Sequence, residues 1–385
     1  MVPFTHGFPQ QQVLFGRGSA SDLREPLERL GVARPLVVCS PRAASGPHVA
    51  AIVARLPGTA QVWPGVQTHA PLESALRGAE VARLHRADGI VSFGGGSASD
   101  LAKGVALALA EGPGIESLAL RRDRGASPAR VRTAPMLPLV ALPTTLSGAE
   151  VTPGFSLTRS DAYKLIFRDS ALAARLIVLD PLLLADAPER MLVGSGMNAL
   201  AHCFEALYSK ARTPISSLLA VDGLQRLWRG LEQRAGGNAS ADELLLGAYL
   251  AGAAIVNART ALHHAICHKL APLADTSHGE ANTAVLPHVL AFNLPYCPGE
   301  TVRMAQAMGI SAADEPAASL VAEITTRLSA LALRAGLQTR LRELGLDRSQ
   351  LDELARRVFT EPGLAFNPAE IHSAEQIHEL LCRAW

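Results

Sequence analysis

Short apolar runs alternate with stretches of helical periodicity along the first half of the chain. The runs are PLVVCS at 35–40, DGIVSFGGGS at 88–97, LPLVALPTT at 137–145 and LIVLD at 176–180. Each has the length of a strand, and strands separated by helices are the pattern of a parallel sheet with helices on its faces. Beyond about residue 186 the strand signals stop, and apolar positions recur with helical period over 193–209, 214–234, 241–258, 315–335 and 349–359. The pattern predicts an α/β domain over 1–185 followed by an all-helical domain over 186–385. The expected boundary lies near DPLLLADAPER (180–190), where two prolines punctuate the last strand, and a ligand is expected in the cleft between the domains.

Composition adds exclusions. With 385 residues there is length for two cores, and 36 Lys plus Arg against 35 Asp plus Glu leave no bulk charge with which to bind nucleic acid. The five cysteines are scattered with no CxxC pair, which reads as reduced thiols. The start lacks a basic segment followed by an apolar one, and no apolar run approaches the roughly 18 to 20 residues that cross a bilayer, so a cytoplasmic location is expected. One stretch, 117–135, gathers Arg121, Arg122, Arg124, Arg130 and Arg132 around glycine and proline. It reads as a solvated loop or as a mobile flap attracting anionic groups.

The segment IVSFGGGSASDLAKGVALAL holds a strand, three glycines, a serine and a helix expected to begin near Ala98. Glycines let a backbone approach a phosphate, and the free N–H groups and dipole of a helix start favour an anion. Gly95, Gly96 and Ser97 are therefore candidate phosphate contacts. The spacing is not GxGxxG, and the turn follows a later strand, unlike the usual dinucleotide fingerprint. In LPTTLSGAEVTP a second strand ends in Thr144, Thr145 and Ser147, and two such edges converging suggest a nucleotide. After the first expected strand, CSPRA offers Ser40 and Arg42 where an acidic residue would bind a ribose hydroxyl, an arrangement that tolerates a 2′-phosphate.

Histidines concentrate in TALHHAICHKLAPLADTSHGEANTAVLPH, at 263, 264, 268, 278 and 288. His264 and His268 share a helical face, His278 follows a Pro and Asp break, and His202 in GSGMNALAHCFEAL stands one turn after Asn198. Three or four imidazoles around one point could ligate Zn or Fe and polarise a substrate oxygen. His263 and His288 read as structural or surface side chains. Asn198 is a weak member of such a set, since a neutral amide brings no charge to offset a dication.

In their order and spacing, VLFGRGS, GGGSASDLAKG, LPTTLSGAEVTP, GMNALAHCFEAL and HHAICHKL followed by SHGEANTAVLPHVLAFN resemble the iron-containing alcohol dehydrogenase superfamily along nearly the whole chain. The resemblance implies the dehydroquinate synthase-like fold, with a Rossmann-like nucleotide-binding domain over 1–185 and a helical domain over 186–385, NADH or NADPH as cofactor, and often a homodimer. The metal-binding positions of that family carry over to Asn198, His202, His264 and His278, and His268 takes the place of a substrate-side histidine that relays a proton. Asn198, the doubled LHH and the short PTTLSGAEVTP are similar to the maleylacetate reductase branch, which reduces an enone in aromatic catabolism without requiring the metal. QTHAP (67–71) is also similar to that branch and puts His69 near the nicotinamide, while Asp100, Lys164 and Leu182 complete the expected cofactor-binding set. The implied activity is NAD(P)H-dependent reduction of a maleylacetate-like unsaturated oxo acid, with His268, His264 and His202 as catalytic residues. GGGSASDLAKG, with Asp100 and Lys103, and SHGEANTAVLPH are similar to the metal-dependent alcohol dehydrogenases. The alternatives are therefore an Fe- or Zn-dependent alcohol dehydrogenase or aldehyde reductase, and a lyase of the dehydroquinate synthase type.

Overall fold

The computed structural model describes residues 3–120, 131–161, 163–185, 187–234 and 241–385. Most of the arginine-rich stretch, including Arg121, Arg122, Arg124 and Arg130, lies outside these residues, whereas Arg132 is tied to Asp169 at 2.8 Å. The chain divides into two compact units, one of Phe8–Ala187 and the other of Pro188–Trp385 joined by the residues up to Gly7. That division falls two residues beyond the expected boundary, and it assigns the N-terminal residues to the helical unit.

The described residues of the first unit form eight strands: β1 Gln12–Phe15, β2 Pro35–Val38, β3 Gln61–Trp63, β4 Gly89–Gly94, β5 Leu139–Pro143, β6 Gly154–Thr158, β7 Lys164–Arg168 and β8 Leu176–Leu179. Six make one parallel sheet in the order β1-β8-β5-β4-β2-β3, and β6 with β7 form a separate antiparallel hairpin. The strand expected to be first is thus the second, because Gln12–Phe15 pairs with β8 at the sheet edge. β2, β4, β5 and β8 are buried along almost their entire length, as strands covered on both faces must be. Alternate residues such as Val37, Val91, Val140 and Val178 share one core with Leu23, Leu27, Val49 and Ile52. From β2 the chain moves outward to β3 and then returns past β2 to β4. The switch point of the sheet therefore lies between the C-terminal ends of β2 and β4, the place where open α/β sheets bind ligands.

Among its described residues the second unit has no strand. The helices Glu189–Tyr208, Pro214–Arg234 and Ala241–Ala258 pack on one another, and Leu262–Leu273 with His278–Asn293 pack alongside Leu351–Phe359 and Ala374–Ala384 around a second core. The helix Ala241–Ala258 corrects one expectation: by length and composition it is apolar enough to cross a bilayer. Most of it is buried inside the helical unit, which accounts for that composition. The five cysteines carry free thiols.

Candidate active site

Two groups of functional side chains can be built from the residues upward, one in each unit. In the first unit, β4 runs into a turn at Gly94, whose φ of 142° suits glycine, and then into the helix Gly96–Glu111. The helix starts two residues earlier than expected. Its N-cap, Gly95, has no side chain to satisfy the first N–H groups, which are left to a ligand or water. Any Cβ at Gly95 would stand 2.9 Å from both Oγ1 and Cγ2 of Thr145, and one at Gly96 would meet the Ser147 side chain at 3.4 Å. The hydroxyls at the end of β5 therefore face the glycine turn. The Thr145 hydroxyl is buried without a hydrogen-bond partner. An unused buried hydroxyl beside an uncapped helix start fits a phosphate oxygen.

The other cofactor candidates are placed as follows. Ser40 caps the short helix Pro41–Ala44 by accepting from the Ala43 N–H at 3.2 Å, and Arg42 on that helix is exposed; both follow β2, at the switch point. His69 adopts a left-handed φ of 63°, and its carbonyl accepts from the Thr158 hydroxyl at 2.8 Å. Asp100 accepts from the Ser156 N–H at 3.1 Å and from its hydroxyl at 3.3 Å. Burial pushes Asp100 above the usual carboxylate range, opposed by Lys103, Ser156 and Lys164, the last of which begins β7. Leu182 is 45 % exposed in the turn after β8, where Asp180 accepts from the N–H groups of Gly18, Ala20 and Leu182. The uncapped helix start and the hydroxyls that face it thus fit the phosphates of a dinucleotide.

In the second unit the helix Glu189–Tyr208 carries Asn198 and His202, while Leu262–Leu273 carries His263, His264 and His268. His278 opens the next helix, fixed by a capping box between Ser277 and Glu280. The His202 and His264 rings stack at 4.7 Å, His268 and His278 stack at 5.8 Å, and His264 lies 5.9 Å from His268 and 6.0 Å from His278. All four expected histidines therefore come together. His263 instead turns into the core, its Nε2–H donating to the Asn282 carbonyl at 3.2 Å, and burial pushes its pKa down to about 4.

Glu205, which the sequence analysis did not single out, is 0 % exposed and sits behind the cluster. Its Oε2 lies 2.5 Å from His264 Nδ1, and its Oε1 accepts the Ala261 N–H at 3.0 Å and the His264 N–H at 3.4 Å. Burial raises the Glu205 pKa, while His263 and the two backbone donors oppose that rise. These contacts fix the orientation of the His264 ring. The other ring nitrogen, Nε2, lies 3.3 Å from Oδ1 of Asn198. His202 is held neutral, its pKa pushed well below the ordinary value by burial and by His264, and its Nδ1 has no hydrogen-bond partner. Asn198, His202 and Glu205 follow i, i+4, i+7 on one helix, a spacing that could have exposed the carboxylate.

A divalent ion fits these donors poorly. Asn198 is a neutral amide, burial keeps His202 neutral, and His264 is engaged at Nδ1 by Glu205 and at Nε2 by the Asn198 amide. Among the described residues, Glu205, His263 and His264 form a group whose ligand atoms lie within 4.8 Å of one another. They are fully buried, and their close atoms are already joined by the His264–Glu205 hydrogen bond and the 3.4 Å approach of the two Nδ1 atoms.

Comparison with known proteins agrees with both units. Residues 9–181 match the family model described as iron-containing alcohol dehydrogenase, and 192–385 match that of the C-terminal part of the Fe-containing alcohol dehydrogenase family. A maleylacetate reductase of Sphingobium indicum is 33% identical over 382 residues, 97% of this chain and 95% of that protein. The crystal structure of a maleylacetate reductase from Agrobacterium tumefaciens aligns with a TM-score of 0.81 at 29% identity, over 100% of this chain and 99% of that one. That of an iron-containing alcohol dehydrogenase from Corynebacterium glutamicum aligns with a TM-score of 0.83 at 30% identity, over 100% and 97%.

Proposed function

Because the chain belongs to the iron-containing alcohol dehydrogenase family, we propose that this oxidoreductase is a reductase of a maleylacetate-like unsaturated oxo acid, working with NADH or NADPH. The observation that carries this reading is Asn198, whose amide bonds His264 at the position where the family's metal-dependent members place a charged ligand. A full-length likeness to maleylacetate reductases supports it.

The reduced nicotinamide supplies a hydride. With the nucleotide bound, reduction would place a hydride on the alkene carbon β to the ketone and a proton on the α carbon, the charge resting meanwhile on the carbonyl oxygen. The C=C π bond would thereby be replaced by two C–H bonds. An activated enone of this kind needs less polarisation than a simple aldehyde, so hydrogen bonds suffice where a dehydrogenase would use a Lewis acid. Neutral His202, whose Nδ1 has no hydrogen-bond partner within the protein, stabilises the oxygen, and His264, held by Glu205 and Asn198, stacks on His202 and fixes its ring. His268, only partly buried and stacked on His278, delivers the proton.

The nucleotide is held by Gly95, Gly96 and Ser97 at its phosphates, with Thr144, Thr145 and Ser147 opposite. Ser40 and Arg42 take the ribose end, where Arg42 accommodates a 2′-phosphate. Asp100, Lys164, His69 and Leu182 complete its surroundings. The open N–H groups at Gly95 and the unused Thr145 hydroxyl support this assignment.

The test follows the absorbance of NADH and NADPH with a panel of unsaturated oxo acids, aldehydes and alcohols, with metal content measured on the same sample. Turnover of oxo acids by metal-poor protein is expected. Turnover of simple aldehydes alone, with a stoichiometric metal, would replace this reading by that of a metal-dependent dehydrogenase.

A further inference from the structure

Two turns into the helix that begins at the glycine turn, Lys103 is 2% exposed. A buried ammonium needs its charge compensated and its three protons received. Here the hydrogen-bond partners are backbone carbonyls: Ala149 at 2.7 Å, Thr152 at 2.8 Å and Gly154 at 3.1 Å. All three belong to the segment that leaves β5 and enters β6, the same segment that carries Thr145 and Ser147 at its start. Asp100, three residues earlier on the helix, holds the far end of that segment through Ser156. Glu150, 3% exposed within the segment and with its pKa pushed up to about 7 by burial, adds part of a negative charge nearby.

Three carbonyl oxygens converging on one cation are what a bound monovalent ion would receive. The segment between Thr144 and Gly154 lies outside any sheet ladder, so its path is set by its own turn hydrogen bonds, by Gln11 on the Val151 carbonyl and by contacts of this kind. Yet its hydroxyls face the glycine turn closely enough that a single Cβ there would collide. A fastening at Lys103 accounts for that closeness.

We propose that Lys103 serves as a built-in cation and as a positioning residue for the nucleotide, its ammonium drawing the 149–154 carbonyls onto the helix so that the Thr145 and Ser147 hydroxyls meet the phosphates. This rests on the nucleotide reading given above. The burial that depresses the Lys103 pKa to about 8 is opposed by Asp100 and Glu150, consistent with a charged amine at neutral pH.

The test compares wild type with Lys103→Met, which keeps much of the volume without charge, and Lys103→Ala, which removes every side-chain atom beyond Cβ. Dissociation constants of NADH and NADPH are measured by nicotinamide fluorescence, with folding followed by circular dichroism. Misplacement of positioning groups predicts a loss of affinity of roughly tenfold to a hundredfold in both variants. Adding n-propylammonium, which replaces the atoms removed in Lys103→Ala, should restore affinity to that variant, and propanol should not. Wild-type affinity in a folded Lys103→Met protein would overturn the proposal, as would equal rescue by propanol, which shows mere space filling. If neither variant folds, hydrogen exchange on the wild-type protein decides: protection of 145–154 that rises on adding NADPH supports the proposal, and protection that does not change overturns it. Wild type that binds neither nucleotide would instead defeat the nucleotide reading itself, and this role with it.

Discussion

Replacing Glu205 by glutamine keeps the shape of the side chain but exchanges an accepting oxygen for an amide donor. Three groups meet the carboxyl group: His264 Nδ1, the Ala261 N–H and the His264 N–H. With one oxygen left, at least one of them loses its partner, or His264 changes tautomer and with it what it offers Asn198. An unsatisfied buried donor costs about 1–3 kcal/mol. Loss of the group that orients a catalytic histidine costs roughly 10- to 100-fold in activity, by analogy with the partners of metal-bound histidines. Glu205→Asp retains the carboxyl group and should recover part of both losses, whereas Glu205→Ala strands all three of its partners and should be the least stable. Urea unfolding gives the stability arm, and kcat/KM with a fixed nucleotide gives the catalytic arm. A glutamine variant with wild-type kcat/KM and an unfolding free energy within about 0.5 kcal/mol of wild type, the range of an inconsequential substitution, would refute the view that this carboxylate orients His264.

Three further outcomes are expected. Gly95→Ala puts a methyl group 2.9 Å from Thr145 Oγ1 and Cγ2 and should weaken NADH and NADPH binding; unchanged dissociation constants would remove the glycine turn from the phosphate site. Asn198→Asp supplies the missing charge, so it should raise affinity for a divalent ion, read by isothermal titration calorimetry with Zn2+ or Fe2+, whereas wild-type activity should survive chelation. His288, whose pKa burial and then Arg340 and Arg383 push down to about 4, must be neutral in the folded protein. Its contribution is therefore present above pH 6.5 and is lost as pH falls from there towards 4. Urea midpoints at pH 7 and 4.5 should differ less for His288→Gln than for wild type, and an identical pH difference would contradict the assignment.

The central strands were legible because covered strands read as apolar runs, and β2, β4, β5 and β8 fall inside the four runs picked out by pattern. β1 and β3 escaped because they are three or four residues long and stand at the two edges, where half-exposed positions weaken the signal. The β6–β7 hairpin alternates buried and half-buried positions between turns, too briefly to stand out. Helical periodicity located Pro214–Arg234 and Ala241–Ala258 to the residue, whereas Glu189–Tyr208 begins a turn before the expected start at 193.

At the histidine cluster, spacing alone brought His202, His264, His268 and His278 together. Glu205 stayed hidden because a lone glutamate on a helix usually faces water, and only its burial against His264 separates it from an ordinary surface charge. Lys103 was likewise legible as a motif residue, but its three carbonyl partners lie nearly 50 positions downstream, beyond what local pattern can reveal.

The first residues of the chain have a topological consequence. Gly7 exchanges two hydrogen bonds with the Asn257 side chain, N–H to Oδ1 and carbonyl to Nδ2, each 3.0 Å, and His6 Nδ1 meets Thr213 Oγ1 at 2.9 Å. The helical unit is therefore discontinuous, and Phe8–Ala187 is an insertion within it. During synthesis the inserted unit is complete while most of its host is still unmade, and the leader must wait for residues some 200 positions later before it docks. A tag, a trimmed start or a severed fragment beginning at 188 would thus disturb the half that bears the histidines, although the cut lies next to the half that does not.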